Sequence, residues 1–262
     1  MKQYILKKNE SFYLKDIFEC GQCFRWNKQD DDSYTGVIKD RVINIKSVDD
    51  NFVFTSNEYN NLDKVISYYF DLDRDYEKIK NMLANIDEHL KTSVEYGKGI
   101  RILKQDIWEC IISFIISANN NIPRIKKIIE NLSKNYGKKI LFENREYYLF
   151  PSPEELSKAS IQDLRDLGLG FRDKRVYKTT QMILNKEFDI EKLSKEKDTE
   201  IIREELLKLD GVGEKVADCI LLFSFNRFDV FPIDVWVRRV MNELYIKNED
   251  ENKVNKKQIR EI

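Results

Sequence analysis

The stretch Leu206–Arg239, LLKLDGVGEKVADCILLFSFNRFDVFPIDVWVRR, limits what this chain can fold into more than any other. From Thr199 to Leu209 apolar residues recur at helical spacing (Ile201, Ile202, Leu206, Leu207, Leu209), the pattern breaks at Asp210-Gly211, and it resumes from about Glu214. Two helices are therefore joined by a Gly-Val-Gly hairpin. Gly211 and Gly213 can adopt positive φ and let a foreign backbone come close. The free N–H groups at the start of the second helix point outward and attract an anion such as a nucleic-acid phosphate. By itself the segment also suits an ordinary helix-turn-helix connection with a glycine C-cap.

Lys215 falls in the first turn of that second helix, where the helix dipole disfavours a cation, so another interaction must favour it there. A solvated side chain is the alternative for any one of the 45 Lys and Arg residues. Cys219 lies one turn further along the same face and can pack beside the amine. Asp234 follows Pro232 and precedes the apolar-periodic run Val235–Leu244, which reads as a helix N-cap. A carboxylate held by N–H donors is a weak base and a good fixed negative charge.

With 262 residues, 42% of them hydrophobic and 12% aromatic, the chain is globular and large enough for one big core or two smaller domains. No apolar run approaches the ~18 residues of a membrane helix, and MKQYILKKNESFYLKD lacks a signal-peptide core, which predicts a cytoplasmic protein with no membrane partner. The net charge of −1 counts against nucleic-acid binding, since such domains are often basic overall. The charge is uneven, however: Asn121–Ile140 carries Arg124, Lys126, Lys127, Lys134, Lys138 and Lys139 against Glu130 alone, and such local potential can dock phosphates. The four cysteines, Cys20, Cys23, Cys110 and Cys219, read as reduced thiols. The lone CxxC at Cys20–Cys23, with His89 as the only histidine, does not make a zinc site.

Short β-rich runs at Cys23–Trp26, Tyr34–Ile38, Arg41–Ile45 and Phe52–Thr55, separated by turn signals, predict an antiparallel meander. Helical patterns follow at Leu62–Phe70, Tyr76–Met82 and near Ile86–Tyr96. From Asp106 onward the sequence suggests helices only, with capping signals at Asp106/Glu109 and at Ser152/Pro153/Glu155. The expected fold class is α+β: a small antiparallel sheet domain with helices over residues 1–98, then an all-helical domain over 99–262, with the boundary near Lys98–Arg101. Two further spots invite both local and functional readings. The asparagines Asn119–Asn121 after the apolar helix suit a C-cap, and Gly21 suits a strand bulge.

Taken in order, CGQCFRW (Cys20–Trp26), SANNNIPRI (Ser117–Ile125), LGLGFRDKRV (Leu167–Val176) and the hairpin with its Pro-Ile-Asp step resemble the signature segments of the helix-hairpin-helix DNA glycosylases, and within them the 8-oxoguanine DNA glycosylases. The resemblance covers nearly the whole chain. It implies a bifunctional N-glycosylase and AP lyase that flips 8-oxoguanine out of duplex DNA opposite cytosine, with Lys215 forming a Schiff base before β-elimination and Asp234 as the negative charge beside the sugar. It further implies that the Gly21 carbonyl receives the N7–H of the lesion and that Cys219 lines the base pocket. Asn119 would fill the vacated stack, Arg124 and Arg172 would bracket the opposite cytosine, and Phe171, where the family usually has tyrosine, would be the wedge. Gly211 and Gly213 would hold a phosphate, and Trp236 replaces a phosphate-contacting histidine. The carbonyls of Leu207, Leu209 and Val212 are implied to hold a structural cation, with no redox or organic cofactor required. The implied partner is double-stranded DNA containing oxidised guanine, met by a monomer at the nucleoid of a bacterial-type cytoplasm.

The family normally continues into a last helix whose glutamine and phenylalanine line the base pocket. No equivalent stretch precedes Ile262, so a truncated chain or a differently closed pocket, with slow turnover, is expected. Two alternatives follow from the same residues: a related glycosylase for another damaged base, against which Lys215 argues because monofunctional relatives lack it, and a non-catalytic protein that uses the hairpin only as a phosphate grip.

Overall fold

The computed structural model describes residues 3–250 and 253–262. Its N-terminal half is a five-stranded antiparallel sheet of β1 (Tyr4–Lys7), β2 (Trp26–Lys28), β3 (Tyr34–Ile38), β4 (Arg41–Val48) and β5 (Asn51–Ser56), in the order β1-β5-β4-β3-β2. The meander is the expected one, with register pairs such as Tyr34↔Ile45 and Ile45↔Phe54. Lys39 (φ 51°) and Asp49 (φ 45°) take left-handed conformations in its tight turns. The sequence reading missed β1 and the short helix α1 (Leu14–Glu19), and it placed strand at Cys23, whereas β2 begins only at Trp26. Residues 21–25 are withheld from the sheet because they form a turn anchored elsewhere.

One face of the sheet buries an aromatic core. Phe18 stacks on Trp26 with ring centres 4.2 Å apart, Phe12, Phe54 and Phe70 close around them, and the Trp26 indole N–H donates to the Tyr69 hydroxyl at 3.0 Å. Gly36 is needed opposite that indole, since a Cβ there would lie 2.3 Å from a ring carbon. Helices α2 (Leu62–Tyr69), α3 (Tyr76–Ala84) and α4 (Glu88–Tyr96) follow, and a linker over residues 97–105 leads to the helical half.

That half packs around α5 (Ile107–Ser117), whose residues 110–116 are all buried. The Asp106 side chain caps it by accepting from the Glu109 N–H at 3.0 Å, as expected. Around it lie α6 (Ile122–Tyr136), α7 (Pro153–Leu156), α8 (Ile161–Leu164), α9 (Asp173–Leu184), α10 (Ile190–Lys195), α11 (Thr199–Leu207), α12 (Glu214–Phe223) and α13 (Val235–Met241). The last described helix, α14 (Lys256–Arg260), buries Ile259 against Ile233 and Val254.

The expectation of helices only beyond Asp106 is corrected by a hairpin of β6 (Lys139–Phe142) and β7 (Arg145–Tyr148). Its turn residues Glu143 (φ 48°) and Asn144 (φ 61°) are both left-handed, the geometry of a type I′ turn built here from Glu-Asn, without the usual glycine. Phe142 joins Val37 and Val42 in a small core on the other face of the sheet, so the hairpin ties the helical half to the strands. Among the described residues no helix is long and apolar enough to cross a membrane.

Candidate active site

Helices α11 and α12 form the predicted hairpin, held from beneath by buried Ile202, Leu206, Leu209, Val212, Val216 and Ile220. The first helix stops at Leu207, two residues short of the expected end, because the chain turns there and the Leu209 carbonyl accepts from the Val212 N–H at 3.0 Å. Only one of the two glycines uses a positive φ: Gly211 stands at 90°, while Gly213, at φ −97° and ψ 178°, is extended. The fold itself does not require a glycine at 213, since an added Cβ would meet nothing within 4 Å. As the N-cap of α12 it offers no side-chain acceptor, which leaves the first-turn amides of that helix facing outward for an anion.

Lys215 follows in that first turn. It is half-buried, its Nζ lies 5.7 Å from the centre of the Phe114 ring, and its charge acts on the Cys219 thiol one turn on. These contacts account for a cation at a helix start. Burial pushes the Cys219 thiol up, the Lys215 charge opposes that shift, and the Asp234 carboxylate adds to it. Amine, thiol and carboxylate thus share one field. Asp234 is the N-cap of α13: its Oδ1 accepts from the Val237 N–H at 2.8 Å. The predicted run to Leu244 continues past α13 as a wider helical turn over Asn242–Ile246. Next to the cap Trp236 is 69% exposed, with the Arg239 guanidinium 5.2 Å from its ring.

A second group lies on the turns flanking α5 and α9. Asn119 is exposed and left-handed (φ 51°), and the Phe171 ring is 56% exposed. Arg172, which the resemblance sets beside Arg124 at the opposite base, is buried here. Its guanidinium donates to the Ala118 carbonyl (2.9 and 2.6 Å), the Asn119 carbonyl (2.7 Å) and the Leu169 carbonyl (3.3 Å). Arg172 therefore holds the Asn119 turn, and of the two arginines Arg124 alone stands exposed, with one long hydrogen bond of 3.4 Å to the Gly168 carbonyl. Burial lowers the Arg172 pKa, and the charges of Arg124 and Arg175 add to that.

Sequence reasoning missed Arg175. Its guanidinium lies 5.2 Å from the Phe171 ring, it ion-pairs with Asp210 at 3.7 Å, and its Cδ would sit 2.6 Å from a Cβ on Gly211. It bridges the exposed ring to the hairpin, and its i+4 spacing from Phe171 was the available signal. Gly21 (φ 87°) is not in a strand but in the turn after α1, and a Cβ on it would lie 3.8 Å from Ile122 in the first turn of α6. The Gly21 turn, the asparagine turn and the Phe171 turn therefore converge on one side of α5 and α6.

Helices α11 and α12 with their Gly-Val-Gly turn, carrying a lysine and followed by a capping carboxylate, define the class: a helix-hairpin-helix protein. Residues 4–111 match the family model described as 8-oxoguanine DNA glycosylase, N-terminal domain, and residues 112–262 match that of the HhH-GPD superfamily base excision DNA repair proteins. The chain belongs to the HhH-GPD superfamily, on its 8-oxoguanine DNA glycosylase branch.

Among curated relatives it is 37% identical to a probable N-glycosylase/DNA lyase of Methanothermobacter thermautotrophicus, over 69% of this chain and 63% of that protein. It is 32% identical to the N-glycosylase/DNA lyase of Saccharomyces cerevisiae, over 88% of this chain and 68% of that one. The chain thus spans about two thirds of the length of these relatives. The apo crystal structure of the 8-oxoguanine glycosylase/lyase of Clostridium acetobutylicum superposes with a TM-score of 0.92 at 41% identity, covering 100% of this chain and 90% of that one. A structure of the same enzyme with double-stranded DNA containing cytosine opposite 8-oxoguanine gives 0.90.

Proposed function

We propose that this chain is a bifunctional DNA glycosylase and AP lyase that removes 8-oxoguanine lying opposite cytosine in duplex DNA. The observation that carries the reading is the placement of Lys215, with Cys219 and Asp234, immediately behind the outward amides of the hairpin. A phosphate bound at those amides brings a nucleotide's sugar to the lysine. The unprotonated Nζ attacks C1′ and the C1′–N9 bond breaks with its electrons going to the base, which takes up a proton. Opening of the sugar ring then leaves a protonated Schiff base. Loss of a C2′ proton expels the 3′ phosphate and nicks the strand. Asp234, fixed by its cap bond, sets a negative charge beside the positive charge that develops on the sugar.

The lesion must leave the stack, at a cost of a few kcal/mol that pocket and backbone contacts offset. Asn119 and Phe171, exposed on neighbouring turns, are the side chains to occupy the gap, and Arg124 is the exposed donor for N3 and O2 of the orphaned cytosine. The Gly21 carbonyl would accept N7–H of 8-oxoguanine and face the bare N7 of guanine. A cation at the carbonyls of Leu207, Leu209 and Val212 fits the chain, because a carbonyl has two lone pairs and Leu209 uses one on Val212. It would add positive charge to the backbone grip. The protein acts as a monomer in this reading.

Borohydride trapping on a duplex with 8-oxoguanine opposite cytosine tests the proposal. A covalent adduct is expected from the native chain and none from Lys215→Gln, which should keep duplex affinity within a few-fold because the grip uses backbone N–H groups. Excision without an adduct would point instead to water as the nucleophile and remove Lys215 from its role.

A further inference from the structure

A carbonyl that tells a lesion from guanine by one hydrogen atom has to be held in place to a fraction of an ångström. The Gly21 turn has little of its own to hold it: outside helices and strands, no backbone-to-backbone hydrogen bond of the described residues engages residues 21–25. The neighbouring side chain does the work instead. Gln22 is 2% exposed, and its amide donates to the Ile17 carbonyl (2.9 Å) and the Arg101 carbonyl (2.8 Å) while accepting from the Leu103 N–H (2.9 Å). Its own carbonyl accepts from the Gln105 side-chain amide at 2.7 Å. The Gln105 backbone N–H in turn donates at 2.8 Å to the carbonyl of Phe223, the last residue of the helix that carries Lys215. The linker is also fixed to the first core, where buried Arg101 donates to the carbonyls of Phe70, Ser11 and Asp71.

Resting on the function proposed above, we infer that Gln22 and Gln105 are positioning residues for base discrimination. Through the linker they hold the Gly21 carbonyl at a fixed offset from Lys215, so that only a base with a hydrogen on N7 reaches the geometry for attack. Neither side chain touches the base or the sugar. Both N–H groups of the buried Gln22 amide are used and its oxygen accepts a third bond, so a residue of similar shape without that amide lets the turn drift with no large change in packing.

The experiment uses the full chain with Gln22→Met, and with Gln105→Glu, which keeps the shape and backbone bond of Gln105 but cannot donate to Gln22. Single-turnover release of 8-oxoguanine and of guanine, both opposite cytosine, is compared with nicking at a preformed abasic site, where there is no base to read. Displacement of a reacting group by about 1 Å costs on the order of 100-fold. Release of 8-oxoguanine should fall by roughly that factor in Gln22→Met and by about tenfold in Gln105→Glu. The lesion-to-guanine ratio should shrink in both, with abasic-site nicking within about threefold of the native chain. Proportional losses on all three substrates would show a general structural role and overturn the inference, as would unchanged ratios in both variants. A native chain that nicks abasic DNA yet releases no 8-oxoguanine would sink the functional reading itself, and this inference with it.

Discussion

Arg172→Met separates the job expected of Arg172, bracketing the opposite cytosine with Arg124, from the one its hydrogen bonds give it, holding the Asn119 turn. In the structure the guanidinium spends its donors on the carbonyls of Ala118, Asn119 and Leu169. Methionine fills most of the space and donates nothing. Leu169 is fully buried and Ala118 half-buried, so their carbonyls lose a partner with little access to water, at about 1 to 3 kcal/mol each. The Asn119 carbonyl belongs to an exposed residue and recovers a water. Against these costs stands relief from a desolvated cation near Arg124 and Arg175. The net is a loss of about 2 to 4 kcal/mol, or roughly 5 to 15 °C in Tm for a chain of this size. Arg124→Ala removes an exposed side chain with one 3.4 Å bond and should leave Tm within about 2 °C. Thermal unfolding of both variants, with excision measured opposite each of the four bases, gives the contrast. Arg172→Met should lower Tm and depress excision against every opposing base, because the Asn119 turn loosens. Arg124→Ala should raise excision opposite adenine relative to cytosine. An Arg172→Met protein with native Tm and a flattened opposing-base profile would refute the reasoning.

Asp234→Asn keeps a good N-cap residue, so Tm should hold within about 2 °C, while excision falls by far more because the fixed negative charge is gone. The two hairpin glycines should behave differently. Gly211→Ala, at φ 90° with Arg175 in the way, should cost about 1 to 2 kcal/mol of stability by denaturant titration, whereas Gly213→Ala should be as stable as the native chain yet bind duplex more weakly at low salt. Glu109 is pushed up to about 7 by burial, with Arg25 opposing and Asp106 adding. The folded state therefore keeps a proton that the unfolded chain releases from about pH 4.5 upward, and native stability should fall by up to about 3 kcal/mol between pH 4.5 and 7. Glu109→Gln has no such titration, so its Tm advantage over the native chain should widen from pH 5 to pH 8; parallel profiles would remove the assignment.

Much of the site was legible because its signals are local. The α11–α12 hairpin follows from apolar spacing broken by Asp-Gly, the Asp234 cap from its place before an apolar run, and the Lys215–Cys219 contact from one helical turn. The meander was legible too, since its strands are short β-rich runs and its turns carry Asp, Asn and Lys. The β6–β7 hairpin was not, because its Glu-Asn turn takes two left-handed residues without the glycine that normally announces them.

The parts that stayed hidden are those in which chemically similar residues are sorted by distant neighbours. Arg124 and Arg172 are the same residue type in two motifs that resemble one family. Nothing near either arginine says that one guanidinium would be consumed by the backbone of residues 118 and 119, more than 50 positions earlier in the chain. Gln22 gave no signal for the same reason: two of its amide's partners, Arg101 and Leu103, are brought to it only when the linker crosses behind the Gly21 turn. A glutamine most of whose partners lie 79 and 81 residues away looks like surface. Under the proposed function, long-range hydrogen bonds of this kind hold the Gly21 turn relative to Lys215, so the residues hardest to find from sequence are those on which discrimination between two bases is expected to depend.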